Sequence, residues 1–171
     1  MGGKIYTIDT GGSVMDCEMF LITLGDNIEM IRKMKGVSKK QLVDDIGYDR
    51  QDMTRLELGK QDAMLSTIVK IAKYLDISLP QLFVRELKLT DILPYVQNDF
   101  HDIFIENLKR RKKISNLTEK AISEMAEIDI GTVHRILNST IKDSRMSTLY
   151  VISKCVDSNM ERMFRRMEET E

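Results

Sequence analysis

Few side chains in this sequence have the type and spacing needed to make or break bonds. His101 and His134 each lack a neighbouring His, Cys or carboxylate at ligand spacing, so the reading assigns no metal. Cys17 and Cys155 lie far apart in no paired motif, which suits a reduced thiol and argues against a disulfide framework. No Ser-His-Asp pattern, phosphate loop or paired catalytic carboxylate motif is present, and the expectation is no enzyme and no cofactor. The chemistry that remains is hydrogen bonding and charge. Arg50, Gln51, Thr54 and Arg55 gather side chains that make paired or directed hydrogen bonds. Further along, Lys109-Arg110-Arg111-Lys112-Lys113 places five cations in succession, wrapping more than one helical turn.

These side chains need elements to hold them, and the hydrophobic periodicity supplies helices. Leu24, Ile28 and Ile31 fall on one face, with Gly36 as a stop signal. Ser38-Lys39-Lys40-Gln41 is a capping-box pattern, in which Ser38 and Gln41 satisfy each other's amides. The helix it opens carries Leu42, Val43 and Ile46 and closes at Gly47. Asp49 is placed to cap the next helix, whose inner face is Met53 and Leu56. A fourth helix carries Leu65, Ile68, Ile71, Ala72 and Leu75. A fifth starts near Leu79-Pro80, where proline's missing N–H is harmless.

The pattern then repeats. Sliding the sequence by 80 positions sets Asn27 on Asn107, Ser38 on Thr118, Leu42 on Ile122, Asp49 on Asp129 and Arg55 on Arg135. One residue later in register, Ser66-Thr67-Ile68 meets Ser147-Thr148-Leu149, and Asp76 and Phe83 meet Asp157 and Phe164. Apolar positions agree almost throughout, so the expectation is two tandem five-helix domains of one all-α fold. Their bounds are an N-terminal disordered arm over 1–19, a first domain over 20–86, a linker over 87–98 and a second domain over 99–171. In the C-terminal stripe, Met160, Met163 and Phe164 join the second core and Met167 extends toward a partner.

Composition sets limits without naming a function. Of 171 residues 42% are hydrophobic and only 6% aromatic, with two prolines, which favours helices over sheets. The net charge of −1 gives no global attraction to polyanions, so any nucleic-acid binding depends on a basic face. No apolar run could span a bilayer, and the N-terminus lacks a signal-peptide design. The expected location is cytoplasmic.

The stretch from Gly36 to Lys60 closely resembles the Cro/Xre helix-turn-helix family, of lambda-repressor-like fold. The resemblance rests on Val43 after Leu42, Gly47 in the turn, and Glu57-Leu58-Gly59 closing the second helix of the motif. Leu65 to Ala72 and Leu82-Phe83 continue it over about 60 residues. It implies a bacterial or phage transcription regulator, a repressor more than an activator, bound to double-stranded DNA. It further implies that helix 49–58 enters the major groove, with Arg50, Gln51 and Arg55 at base-reading positions and Thr54 beside them. Their chemistry suits this: arginine bonds guanine O6 and N7, and glutamine bonds adenine N6 and N7. Ser38, Lys39 and Lys60 are the phosphate candidates. Arg32 is assigned equally to a surface salt bridge or a backbone contact, and Glu57 to a structural pairing.

The second copy departs from the pattern. In helix 129–138, Ile130-Gly131 replace Arg50-Gln51, and Leu137 and Ser139 replace Glu57 and Gly59. Ile130 could pack on a thymine methyl, Thr132, His134 and Arg135 could bond DNA, and Lys112 and Lys113 could approach phosphate. Two architectures fit: two readers in one chain, or one reader with a second domain that pairs two chains as a homodimer. The competing function on the same fold is binding to a protein partner, as an antitoxin or anti-activator.

Overall fold

The computed structural model describes residues 17–166. In chain order it has α1 (Cys17–Met34), α2 (Lys39–Ile46), α3 (Arg50–Glu57), α4 (Leu65–Tyr74), and two 3₁₀ turns, η1 (Leu79–Phe83) and η2 (Leu89–Asp91). Then follow α5 (Phe100–Ile114), α6 (Glu119–Ala126), α7 (Ile130–Leu137), α8 (Met146–Cys155) and α9 (Met160–Met163). Among the described residues there is no β-strand, and an isolated antiparallel bridge joins Met64 to Arg145.

Local chemistry sets the boundaries of the first helices. After α1 the chain turns at Gly36, whose φ of +67° suits a residue without Cβ. At α2 the capping box is complete: Ser38 Oγ accepts from the Gln41 amide at 3.1 Å, and Gln41 Oε1 accepts from the Ser38 amide at 2.8 Å. Gly47 ends α2 in the left-handed region, and Asp49 opens α3 by accepting from the amides of Gln51 and Asp52. Leu24, Ile28, Ile31, Leu42, Met53, Leu56, Ile68 and Ile71 are fully buried. Each such side chain contributes about 1.5–3 kcal/mol relative to exposure.

Backbone detail recurs along the chain. α6 and α7 begin and end 80 positions after α2 and α3, and α8 lies 81 positions after α4. The left-handed residues Gly36, Gly47 and Gly59 recur as Asn116, Glu127 and Ser139, and Asp76 recurs as Asp157. Asn27 donates to the carbonyls of Leu82 and Val84, and Asn107 donates to those of Met163 and Arg165, the same positions at an offset of 81.

The two halves share one apolar core. Phe20 stacks on Tyr150 with ring centroids 4.6 Å apart, and Phe83 meets Phe164 at 5.4 Å. Neither Met64 before α4 nor Arg145 before α8 caps its helix with a side chain. The free amides are met from the opposite half. Leu65 N donates to Ser144 O and Met146 N to Ala63 O, while Ser66 N donates to Asp143 Oδ1 and Ser147 N to Asp62 Oδ1. The hydroxyls of Ser66 and Ser147 donate to the second oxygens of the same carboxylates.

Two expectations need correction. The arm expected over 1–19 does not include Cys17 to Met19, which belong to α1; burial of Cys17 and the Phe20–Tyr150 stack hold this turn in place. Residues 1–16 and Met167 lie outside the described residues. The fifth element of the first half is a 3₁₀ turn and not an α-helix, and α9 is only four residues long. The linker expected over 87–98 is tied to the first half and to the core. Ser78 N donates to Leu93 O, Leu93 N to Gln81 Oε1 and Tyr95 N to Asp76 Oδ1, while Leu87, Ile92 and Tyr95 pack on the core.

Candidate nucleic-acid interface

α2 and α3 are joined by Gly47, Tyr48 and Asp49, the short connection of a helix-turn-helix. Burial divides α3 sharply. Met53, Leu56 and Glu57 face the protein, whereas Arg50, Gln51, Thr54 and Arg55 are exposed together. The outer face therefore offers two guanidinium groups and a carboxamide, side chains that can address base edges. Close packing positions this face: an added Cβ on Gly25 of α1 would come within 2.3 Å of Leu56 O and 2.7 Å of Glu57 O. Gly59 takes φ +68°, and a Cβ there would meet the backbone of Ile22 at 2.7 Å. The close approach of α1 to α3 at Gly25 is a determinant that the sequence reading missed; a glycine inside a long helix was its only signal.

Beneath the exposed face lies a buried charge cluster. Arg32 Nε donates to Glu57 Oε1 at 2.6 Å and Arg32 Nη2 to Glu57 Oε2 at 3.2 Å, a two-pronged pairing. Arg32 Nη1 also donates to Val37 O at 2.9 Å, tying the end of α1 to the turn before α2. The two side chains are 8% and 3% exposed, so Arg32 forms neither a surface salt bridge nor a contact with a nucleic-acid backbone. Glu57 has the structural pairing expected of it.

The other first-half residues differ in availability. Lys39 Nζ lies 3.0 Å from Glu57 Oε2 and donates to Thr54 Oγ1 at 3.2 Å. The Thr54 hydroxyl in turn donates to Arg50 O. Lys39 and Thr54 thus brace α2 against α3, which the sequence pattern did not anticipate. Ser38 is exposed at the start of α2; its oxygen accepts within the capping box, and its hydroxyl proton remains to donate outward. Lys60 is exposed just beyond the end of α3.

The second half places the corresponding residues similarly and changes the chemistry. Ile130, His134 and Arg135 are exposed on α7 and Thr132 is half-buried, opposite buried Val133, Ile136 and Leu137. Ile130 is 48% exposed. His134 Nδ1 lies 2.9 Å from Glu119 Oε2, joining the positions that Thr54 and Lys39 hold in the first half. Arg135 donates to Thr132 Oγ1 at 3.0 Å. Leu137 replaces Glu57, so no buried pair forms there. Lys112, at the place of Arg32, lines an open groove with Lys109, Lys113, Glu119 and Asn138.

Among the described residues no group of three or more His, Cys, Asp or Glu is placed to hold a metal ion. Burial pushes the Cys155 thiol up to about 11, which disfavours the reactive thiolate. Among the described residues no helix is long and apolar enough to cross a membrane.

An exposed polar helix held by a short turn on a braced partner helix defines a helix-turn-helix unit. Residues 27–88 match the family described as the Cro/C1-type HTH DNA-binding domain. The chain is 30% identical over 63 residues to "Control protein C.SmaI" of Serratia marcescens, covering 37% of this chain and 75% of that protein. It is 31% identical over 61 residues to "Uncharacterized HTH-type transcriptional regulator YqaE" of Bacillus subtilis (strain 168), covering 36% of this chain and 53% of that one. The chain thus spans about half the length of the Bacillus relative. No solved structure matches it significantly. On these grounds the chain belongs to the Cro/C1-type helix-turn-helix family.

Proposed function

We propose that this protein is a sequence-specific DNA-binding regulator of transcription that reads the major groove with α3. The observation that carries the proposal is the joint exposure of Arg50, Gln51 and Arg55 on a helix whose opposite face is locked by Met53, Leu56 and Glu57. Arg50 and Arg55 pair with guanine, Gln51 pairs with adenine, and Thr54 holds the geometry from beside them. Ser38 and Lys60 anchor the phosphates on either side, and Lys39 adds positive potential while bound to Glu57.

The reading treats 20–86 as the reading domain and residues from 99 onward as a diverged copy of its fold. The recurrence of helix bounds, left-handed residues and Asn27-type hydrogen bonds supports it. Regulation is by repression, since occupancy of a promoter suffices to exclude other proteins, and the setting is the cytoplasm of a bacterium. A reporter gene placed behind the bound site gives the sign.

The test is selection of bound duplexes from a random library, followed by titration of the recovered sequence at several salt concentrations. Specific, salt-sensitive binding supports the proposal. The competing reading is an antitoxin or anti-activator, favoured by exposed Ile130 and by Glu119 beside His134. Capture of one protein partner without salt-sensitive DNA binding would replace the proposal with it.

A further inference from the structure

We infer that one chain carries both heads of a two-fold DNA reader, so that a single copy occupies two unlike half-sites. The inference rests on the proposed reading of α3. Its own evidence is the reciprocity of the contacts between the halves. Asp62 accepts from Ser147, and Asp143, 81 positions after Asp62, accepts from Ser66, 81 positions before Ser147. Leu65 N donates to Ser144 O, and its counterpart Met146 N donates to Ala63 O, the counterpart of Ser144. Met64 pairs with its own counterpart Arg145 in the bridge, and Phe83 meets its own counterpart Phe164.

Contacts of this form, i to j and j to i with matched positions touching themselves, are the signature of a two-fold axis. A repeat joined by simple translation would not produce them. The axis passes near the Met64–Arg145 bridge and relates α3 to α7. Leu58 and Met64 are six residues apart and Asn138 and Arg145 seven, so each reading helix ends within roughly 25 Å of the axis region. That reach accommodates two heads set one DNA turn apart, about 34–36 Å. The surface through which two identical chains would pair in this way is filled from within the chain, which makes the DNA-bound unit one copy.

The two heads differ in chemistry. α3 presents Arg50, Gln51 and Arg55; α7 presents Ile130 and Arg135, with Gly131 at the place of Gln51. The duplex edge suited to exposed Ile130 is a thymine methyl, with Arg135 available to a guanine. The favoured DNA therefore has two half-sites in inverted orientation that are not copies of each other, the second containing a thymine where Ile130 docks.

The experiment uses the full chain and the duplex it selects from a random library. Sedimentation gives the number of chains per duplex, and footprinting gives the protected span. The expected result is one chain per duplex with two protected half-sites. Ile130→Ala with Arg135→Ala should weaken binding roughly 5- to 150-fold and relax sequence preference in one half only. Arg50→Ala with Arg55→Ala should relax the other. Circular dichroism confirms that the variants remain folded. Two chains per duplex, or unchanged binding by the α7 variant with protection of one half-site, would overturn the inference and leave α3 as a reader. Selection that recovers no specific duplex would overturn both.

Discussion

Asp62 caps a helix that begins 84 residues after it: its Oδ1 accepts from the Ser147 amide at 3.0 Å, and its Oδ2 accepts from the Ser147 hydroxyl at 2.5 Å. Asp143 does the same for Ser66. Replacing either aspartate by alanine leaves amides at a helix start without a partner, with an expected cost of about 0.5–2 kcal/mol each. Asp62→Asn keeps an acceptor and should recover part of the loss. Urea unfolding checks this; a single transition is expected in every variant because the halves share a core, and no loss in Asp62→Ala would refute the cross-capping account.

Breaking the Arg32–Glu57 pair from one side should be costly. Glu57→Leu leaves a buried guanidinium opposite an apolar group, for which a loss of about 3–5 kcal/mol is expected. The double variant Arg32→Met, Glu57→Leu should lose much less, because the second half already has Leu137 at the place of Glu57. A double-mutant cycle measures the difference. Equal losses in single and double variants would contradict the pairing.

How far the sequence revealed this arrangement depends on where each signal lies. The capping box at Ser38, the Asp49 cap and the glycine turns were legible because their partners are within a few residues. The start of α1 was not, because this turn is held by burial of Cys17 and by Phe20 stacking on Tyr150 of the second half. Neither Met64 nor Arg145 has a side chain that caps its helix; the caps come from Asp143 and Asp62, each in the opposite half of the sequence. Of the α3 residues, the inner face of Met53 and Leu56 was legible from periodicity, while Arg50, Gln51, Thr54 and Arg55 were pointed to by the family resemblance. The engagement of Lys39 with Glu57 and Thr54 was not, since a lysine at a helix start looks the same whether it faces phosphate or carboxylate.

Gly25→Ala tests the contact of α1 with α3. With Leu56 O at 2.3 Å from the added Cβ, backbone must shift, and the expected cost is about 1–3 kcal/mol. The same variant should bind DNA less specifically than its residual stability explains, because α3 is displaced. Wild-type stability in thermal unfolding would show that α1 has room to move.

Acid stability should depend on His101. Burial lowers its pKa, outweighing the opposing pull of Asp102 and Asp99, so the folded protein binds this proton less readily than the unfolded chain. Stability from this group is fully present above the ordinary histidine value of about 6.5 and is lost as pH falls below it toward the lowered folded value. His101→Leu, the residue type at the matching position 21, should flatten the change in unfolding free energy between about pH 7 and 5.5. An unchanged slope would assign it to other groups.

The central claim is that α3 reads DNA, and competitive binding of selected and scrambled duplexes to wild-type protein and to the triple variant Arg50→Ala, Gln51→Ala, Arg55→Ala tests it most directly. Each good base contact is worth about 1–3 kcal/mol of discrimination. The account predicts that the variant keeps its helical spectrum, retains weak salt-dependent binding to any duplex and loses most of its preference for the selected one. Undiminished preference in a folded variant would contradict it.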